Sequence, residues 1–83
     1  MPKVRTSPYD KIVAYNVRRR RRELDMSQKT LADRIGLSHR QIHNYEKNTA
    51  RIGAGTLYEL AIVLNVDVSY FFDSTKLAEE TLE

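Results

Sequence analysis

The sequence predicts a small all-α domain of five helices, and three observations carry that expectation. Apolar residues recur at helical spacing in successive segments. Residues that start or stop helices, such as Ser27, Gly36, Ser38, Asn48 and Asn65, punctuate those segments. Residues 27–47, SQKTLADRIGLSHRQIHNYEK, then form two short amphipathic helices around a tight turn. In that stretch a small residue (Ala32) lies inside the first helix, a glycine (Gly36) in the turn and an aliphatic (Ile42) in the second helix. This is the internal spacing of a helix-turn-helix, in which the second helix crosses closely over the small residue.

Residues 1–8, MPKVRTSP, hold two prolines, two basic residues and no periodicity, so they are expected to form a flexible arm with Lys3 and Arg5 as its charges. The folded domain is expected over residues 9–73. Helix 1 should run from Pro8 or Tyr9 to Leu24, with proline in the tolerated first turn and Asp10 at the positive helix end. Val13, Val17 and Leu24 mark its buried stripe, with Ile12 at the margin. Position 20 continues that stripe but is arginine. The run Arg18–Arg22 wraps every face of a helix, so one arginine must lie along the core edge, its stem packed and its guanidinium on a carboxylate. Glu46 is the expected partner and Arg21 the first candidate. A five-arginine run also suits nuclear targeting or RNA binding. That reading ranks second, because apolar core positions persist on both sides of the run.

Asp25 and Met26 turn the chain into helix 2, Ser27 to Ile35, where Leu31, Ala32 and Ile35 share one stripe. Gln28 falls at its N-terminal edge, where a side-chain amide and free backbone N–H groups can grip a phosphate together. Gly36 ends the helix in the left-handed conformation. Helix 3 runs from Ser38 to about Lys47, with Ile42 and Tyr45 on its buried face and His39, Arg40, His43, Asn44 and Lys47 off it. Asn48 suits a left-handed cap. Residues 49–53 form a loop in which Arg51 is placed to meet a nucleic-acid backbone beyond helix 3. Helix 4 spans about Ala54 to Leu64 on Leu57, Leu60 or Ala61, and Leu64; Asn65 ends it. Asp67 is expected to cap a short helix 5, Val68 to Phe72, whose Val68, Phe71 and Phe72 seal the core or face a partner. Residues 74–83 form a tail that can extend as a helix, with Leu77 and Leu82 exposed as a frayed end or a dimer contact.

Eighty-three residues without cysteine allow one modest core, with no disulfide or thiolate metal site. No apolar run approaches the roughly 20 residues that cross a bilayer, and no signal-peptide core opens the chain. A cytoplasmic, nucleoid-associated protein without membrane contact is therefore expected. The net charge of +3 hides an asymmetry: 13 Lys/Arg face 5 Asp/Glu up to Arg51, and 1 faces 6 beyond it. Basic charge thus collects in the half that holds the helix-turn-helix, as a surface facing phosphates requires. His39 and His43 stand at a spacing that can bind zinc, but apart from Glu46 no further ligand accompanies them. Base or phosphate contacts are expected from them instead. No phosphate loop, nucleophile elbow or paired carboxylates are visible, so neither catalysis, metal nor cofactor is expected.

Residues 13–72 resemble the Xre-type helix-turn-helix family, the lambda-repressor and Cro-like domains of bacterial and phage regulators. The matching residues are SQKTLADRIGLS, the Ile42-x-x-Tyr45-Glu46-Lys47 end of helix 3, TLYELAIVLNVDV and the Phe71-Phe72 close. The resemblance implies a five-helix lambda-repressor-like domain that binds operator DNA as a symmetric dimer, with helix 3 as recognition helix. By position it implies base reading by Ser38, His39, Arg40 and Asn44, and phosphate contact by Gln28 and Arg51. It also implies a salt bridge from Arg21 to Glu46 that ties helix 1 to the end of helix 3. His43 and Lys47, on the same outward face, are further candidates for phosphate. Arg20 stands where the family usually has an aliphatic residue, and Asn48 where it usually has glycine. The operator sequence does not follow, because family members choose bases with different residues at these positions.

One such domain covers only a few base pairs, so specificity requires two, their recognition helices about 34 Å apart. The acidic half supplies the expected dimer surface, with Leu64, Val66, Val68, Tyr70 and Phe72 as its apolar candidates; the alternative is that these residues only close the core. A transcriptional regulator, in particular a repressor on an inverted repeat, is the leading reading. A restriction–modification controller and an autoregulatory antitoxin share the same domain, and the antitoxin would bind a toxin or other protein as well. A protein- or RNA-interaction module is the reading of a different class.

Overall fold

The computed structural model describes residues 7–82, all but the final two with side chains. Lys3 and Arg5 of the expected arm, and Leu82 as an exposed apolar side chain, lie outside the described residues. Five α-helices and one 3₁₀ helix make up the described chain: α1 (Pro8–Glu23), α2 (Gln28–Ile35), α3 (His39–Glu46), α4 (Ala54–Leu64), the 3₁₀ helix (Val68–Phe72) and α5 (Thr75–Leu82).

Local chemistry explains where each helix begins. Ser7, Ser27 and Ser38 occupy the N-caps of α1, α2 and α3, and each hydroxyl accepts the backbone N–H three residues on. At α1 and α3 the third residue, Asp10 or Gln41, accepts the cap residue's own N–H, closing a capping box. α4 starts at Gly53 without a side-chain cap.

The ends of α1 to α4 follow one rule. Asp25, Gly36, Asn48 and Asn65 have φ of +56°, +75°, +61° and +56°. The residue after each donates its N–H to the carbonyl five back: Met26 to Arg21, Leu37 to Ala32, Thr49 to Asn44 and Val66 to Ala61. Four Schellman motifs in series thus satisfy the last carbonyls and reverse the chain. Glycine, asparagine and aspartate are the residue types that enter this region at least cost.

The core is built from Val13 and Val17 of α1, Leu31 and Ala32 of α2, Ile42 of α3, Leu57, Leu60, Ala61 and Leu64 of α4, and Phe71. Leu64 is fully buried. This corrects its expected place on a dimer surface: it continues the inner stripe of α4 and faces the core. Asn16 is also fully buried, and its Nδ2 donates to the carbonyls of Phe71 (2.9 Å) and Asp73 (2.8 Å), holding the 3₁₀ helix against α1. The final core segment, expected as helix 5, is a 3₁₀ turn in which Tyr70 N–H bonds to Asp67 carbonyl. Asp67 holds the N-cap position, but its side chain makes no cap bond. Five residues do not repay an α nucleus, and the tighter helix is the usual form for so short a piece.

Arg20 does not disturb α1. Its Nε donates to Leu64 carbonyl at 2.9 Å, satisfying the C-terminus of α4, and its Nη1 reaches Glu23 at 3.3 Å. A cation at a helix C-terminus is stabilising. α5 returns along α1, where Tyr15 hydroxyl donates to Glu80 Oε2 at 2.6 Å. Leu77, expected to be exposed, is half-buried there.

Candidate nucleic-acid interface

The helix-turn-helix is held from within. Ala32 is 1% exposed and Ile42 wholly buried, so α3 crosses α2 over a side chain small enough to allow close approach. Leu37, after the left-handed Gly36, packs against the same core. Rotation of α3 about its axis would expose Ile42, and that fixes which side chains point out.

One hydrogen-bonded chain runs from α1 through α3 to the start of α2. Arg21 meets Glu46 in a two-pronged ion pair, Nε to Oε2 at 2.6 Å and Nη2 to Oε1 at 2.9 Å. Its Nη1 donates to Met26 carbonyl at 2.7 Å, at the head of the turn into α2. The two side chains are only 9% and 3% exposed. Glu46 Oε1 also accepts Nε2 of Gln28 at 3.0 Å, and Gln28 Oε1 lies 3.0 Å from Nε2 of His39. A carboxylate can only accept, so the Gln28 amide nitrogen faces Glu46 and its oxygen faces His39. Nε2 of His39 is therefore the donor to Gln28, with Nδ1 on the other side of the ring. Gln28 spends both ends of its amide on this chain, which leaves the backbone N–H groups at the start of α2 beside it.

The outward side chains of α3 differ in commitment. Arg40, His43 and Lys47 are exposed and take no hydrogen bond or ion pair within the described residues. Asn44 is half-buried; its backbone carbonyl, not its side chain, accepts Thr49 N–H at 3.0 Å and Thr49 hydroxyl at 3.2 Å. Ser38 acts as the N-cap, its oxygen accepting Gln41 N–H at 3.1 Å while its own O–H stays available to donate. Arg51 lies away from these, its Nε 3.5 Å from Asp10 Oδ2, and its side chain is 62% exposed. Asp10 is held below the usual carboxylate range, first by the Ser7 backbone N–H and last by Arg51.

The five expected dimer residues do not come together as one surface. Leu64 is core. Tyr70 lies under Arg19, whose guanidinium carbon is 5.1 Å from the ring centroid, and burial pushes its hydroxyl pKa up. Phe72 is half exposed and lines a small cleft with Asp10, Tyr45 and Arg51. Only Val66 and Val68 share a surface, a groove completed by Tyr58 and Ile62 of α4. Tyr58 and Ile62 are 62% and 63% exposed. Reading α4 as a one-faced helix missed them, although AGTLYELAIVL is apolar nearly all round and so has more apolar side chains than one face can bury. Gln41 was legible as the third residue after Ser38; Asn16 carries no such signal.

Fold and site together define a small helix-turn-helix domain whose second motif helix presents an uncompensated polar and basic face. The helix-turn-helix family model HTH_3 matches residues 17–71, and the chain belongs to that family. An uncharacterized HTH-type transcriptional regulator of Sinorhizobium medicae is 42% identical over 71 residues, which cover 86% of this chain and 51% of that protein. The chain thus spans about half the length of the curated relatives it matches. Among solved structures it is similar to the restriction-modification controller protein C.AhdI from Aeromonas hydrophila, with a TM-score of 0.72, 22% identity and coverage of 76% and 96% of the two chains. SinR, the master regulator for biofilm formation, solved in complex with DNA, superposes with a TM-score of 0.69 at 22% identity, over 74% and 98%. At those identities the likeness is one of fold. No helix among the described residues is long and apolar enough to cross a membrane.

Proposed function

We propose that the chain is the DNA-binding part of a transcriptional regulator, a repressor that reads an inverted-repeat operator in double-stranded DNA as a homodimer. The observation that carries this reading is the division of labour on α3. Its inner side is fixed by Ile42, by Glu46 and through Gln28, while Arg40, His43 and Lys47 stand exposed and unpaired among the described residues. A rigid helix with spare donors on one face suits a major groove, whose base edges offer distinct donor and acceptor patterns. Arg40 reads a guanine edge and Asn44 an adenine edge, each giving ~1–3 kcal/mol of discrimination. Ser38 and His39 meet neighbouring bases at the helix start. His43, Lys47, Arg51 and the start of α2 beside Gln28 take phosphates, which sets register rather than sequence.

The second copy docks on the groove lined by Tyr58, Ile62, Val66 and Val68, since Tyr58 and Ile62 stand exposed on α4 beside the half-buried Val66 and Val68. Binding titrations of two variants over a salt series test the assignment. Arg40→Ala should relax preference at one base position and leave the salt slope unchanged. Arg51→Ala should weaken binding uniformly and make the slope shallower by about one. Equal losses on every sequence from both variants would contradict it.

A further inference from the structure

The arginine run of α1 is only partly used by the fold. Arg19 pairs with Glu23 and covers Tyr70, Arg20 caps α4 and Arg21 holds Glu46. Arg18 and Arg22 remain: both are exposed, one helical turn apart, and neither takes an ion pair within the described residues. They form one wall of a groove of about 370 Å³ whose other wall is His43 and Lys47 of α3. Beneath lies the Arg21–Glu46 pair, already neutral, so the groove keeps three permanent positive charges and a histidine without a spare carboxylate.

Like charges facing each other across a groove repel, and an anion between them relieves that repulsion. The groove is open and runs between two helices, a shape that suits a strand of phosphates better than one enclosed anion. Gln28 lines it as well, so it continues the corner where α2 begins. We propose that Arg18 and Arg22 seat backbone phosphates of the same duplex that α3 reads, extending the footprint beyond the helix-turn-helix onto α1. This rests on the DNA-binding reading above and adds two contacts to it.

The test is a salt series on the full chain with the duplex it prefers, comparing wild type, R18Q/R22Q and R18K/R22K. Two lost phosphate contacts should reduce the slope of log affinity against log salt by about 1.8 in R18Q/R22Q. The matching loss is roughly 30-fold in affinity at about 0.15 M salt. The preferred base sequence should stay the same, and R18K/R22K should regain the slope, since lysine restores the charge. Equal thermal unfolding of the three proteins shows that they fold alike, as exposed side chains without ion pairs among the described residues should allow. An unchanged slope in R18Q/R22Q while wild type binds its duplex would overturn this proposal alone. So would an altered base preference, or a loss confined to single-stranded RNA. A wild type that binds no duplex would overturn both this proposal and the reading on which it rests.

Discussion

Glu46 is the residue on which most of the site depends. It accepts two hydrogen bonds from Arg21 and one from Gln28 while only 3% exposed at its side chain. Glu46→Ala leaves a buried guanidinium without its carboxylate, and breaking such a pair costs about 3–5 kcal/mol. In a chain of this length that lowers the unfolding midpoint by well over 10 °C, roughly 4–8 °C per kcal/mol. Unchanged thermal unfolding of Glu46→Ala would show that the pair holds nothing. Leu64 and Ile62 make a second contrast. Leu64→Ala opens a cavity in the core and should cost about 2–5 kcal/mol in urea unfolding. Ile62→Ser changes an exposed position, so monomer stability should move by no more than about 0.5 kcal/mol. If Ile62 lies at the proposed dimer surface, sedimentation of that variant should show weaker self-association. Both residues sit on α4 and both are aliphatic. Composition does not separate them; helical spacing puts Leu64 in line with Leu57 and Leu60, and α1, α2 and the 3₁₀ helix pack over that side of α4.

The helices owe their boundaries to a few side chains, and most of these were legible. Ser27, Gly36, Ser38, Asn48 and Asn65 are punctuation that the sequence shows directly, and the structure uses every one as a helix cap. Asp25 reads as part of the turn but not as its left-handed residue, because aspartate enters that region less often than glycine or asparagine. The tail is expected to be able to extend as a helix, but its docking along α1 is not. Eight residues are too few to form a helix unaided, and the Tyr15 hydroxyl that holds Glu80 comes from a distant part of the chain. Asn65→Gly should stabilise the domain by up to about 1 kcal/mol, and Asn65→Ala should destabilise it by a similar amount, since alanine tolerates positive φ less well. Denaturant midpoints of the two variants should therefore move in opposite directions. Acid should loosen two helix starts. The carboxyl of Asp10 is lowered first by the Ser7 backbone N–H, and that of Asp73 first by the Thr75 side chain. A lowered folded value means that the stabilisation is complete above the unfolded value of 3.8 and is lost as pH falls through the folded value. The Asp10→Asn variant should therefore lose less stability than wild type as pH falls below 3.8. Parallel acid titrations by circular dichroism would contradict the account if the two proteins lost stability equally.

At the scale of the molecule, charge and apolar surface are sorted onto different sides. Basic residues surround α3 and the adjoining face of α1, while the exposed aliphatic and aromatic residues of α4 border the acidic half. The helix-turn-helix spacing carried the fold and the positions of α2 and α3 in the sequence itself. That α4 would leave apolar side chains outside was legible in its all-round apolar sequence; that Tyr58 and Ile62 would line one groove with Val66 and Val68 was not, because it depends on how the chain folds back after Asn65. The sorting suits a twofold arrangement in which α4 pairs with its copy and both α3 helices face one side of a duplex. The measurement that tests this most directly is selection from a random duplex pool by the purified chain at about 0.15 M salt, where weak surface charge is screened. The account predicts enrichment of an inverted repeat with half-sites about one helical turn apart, a spacing of roughly 10 base pairs. A pool that stays unenriched, with tight binding only at low salt, would contradict it.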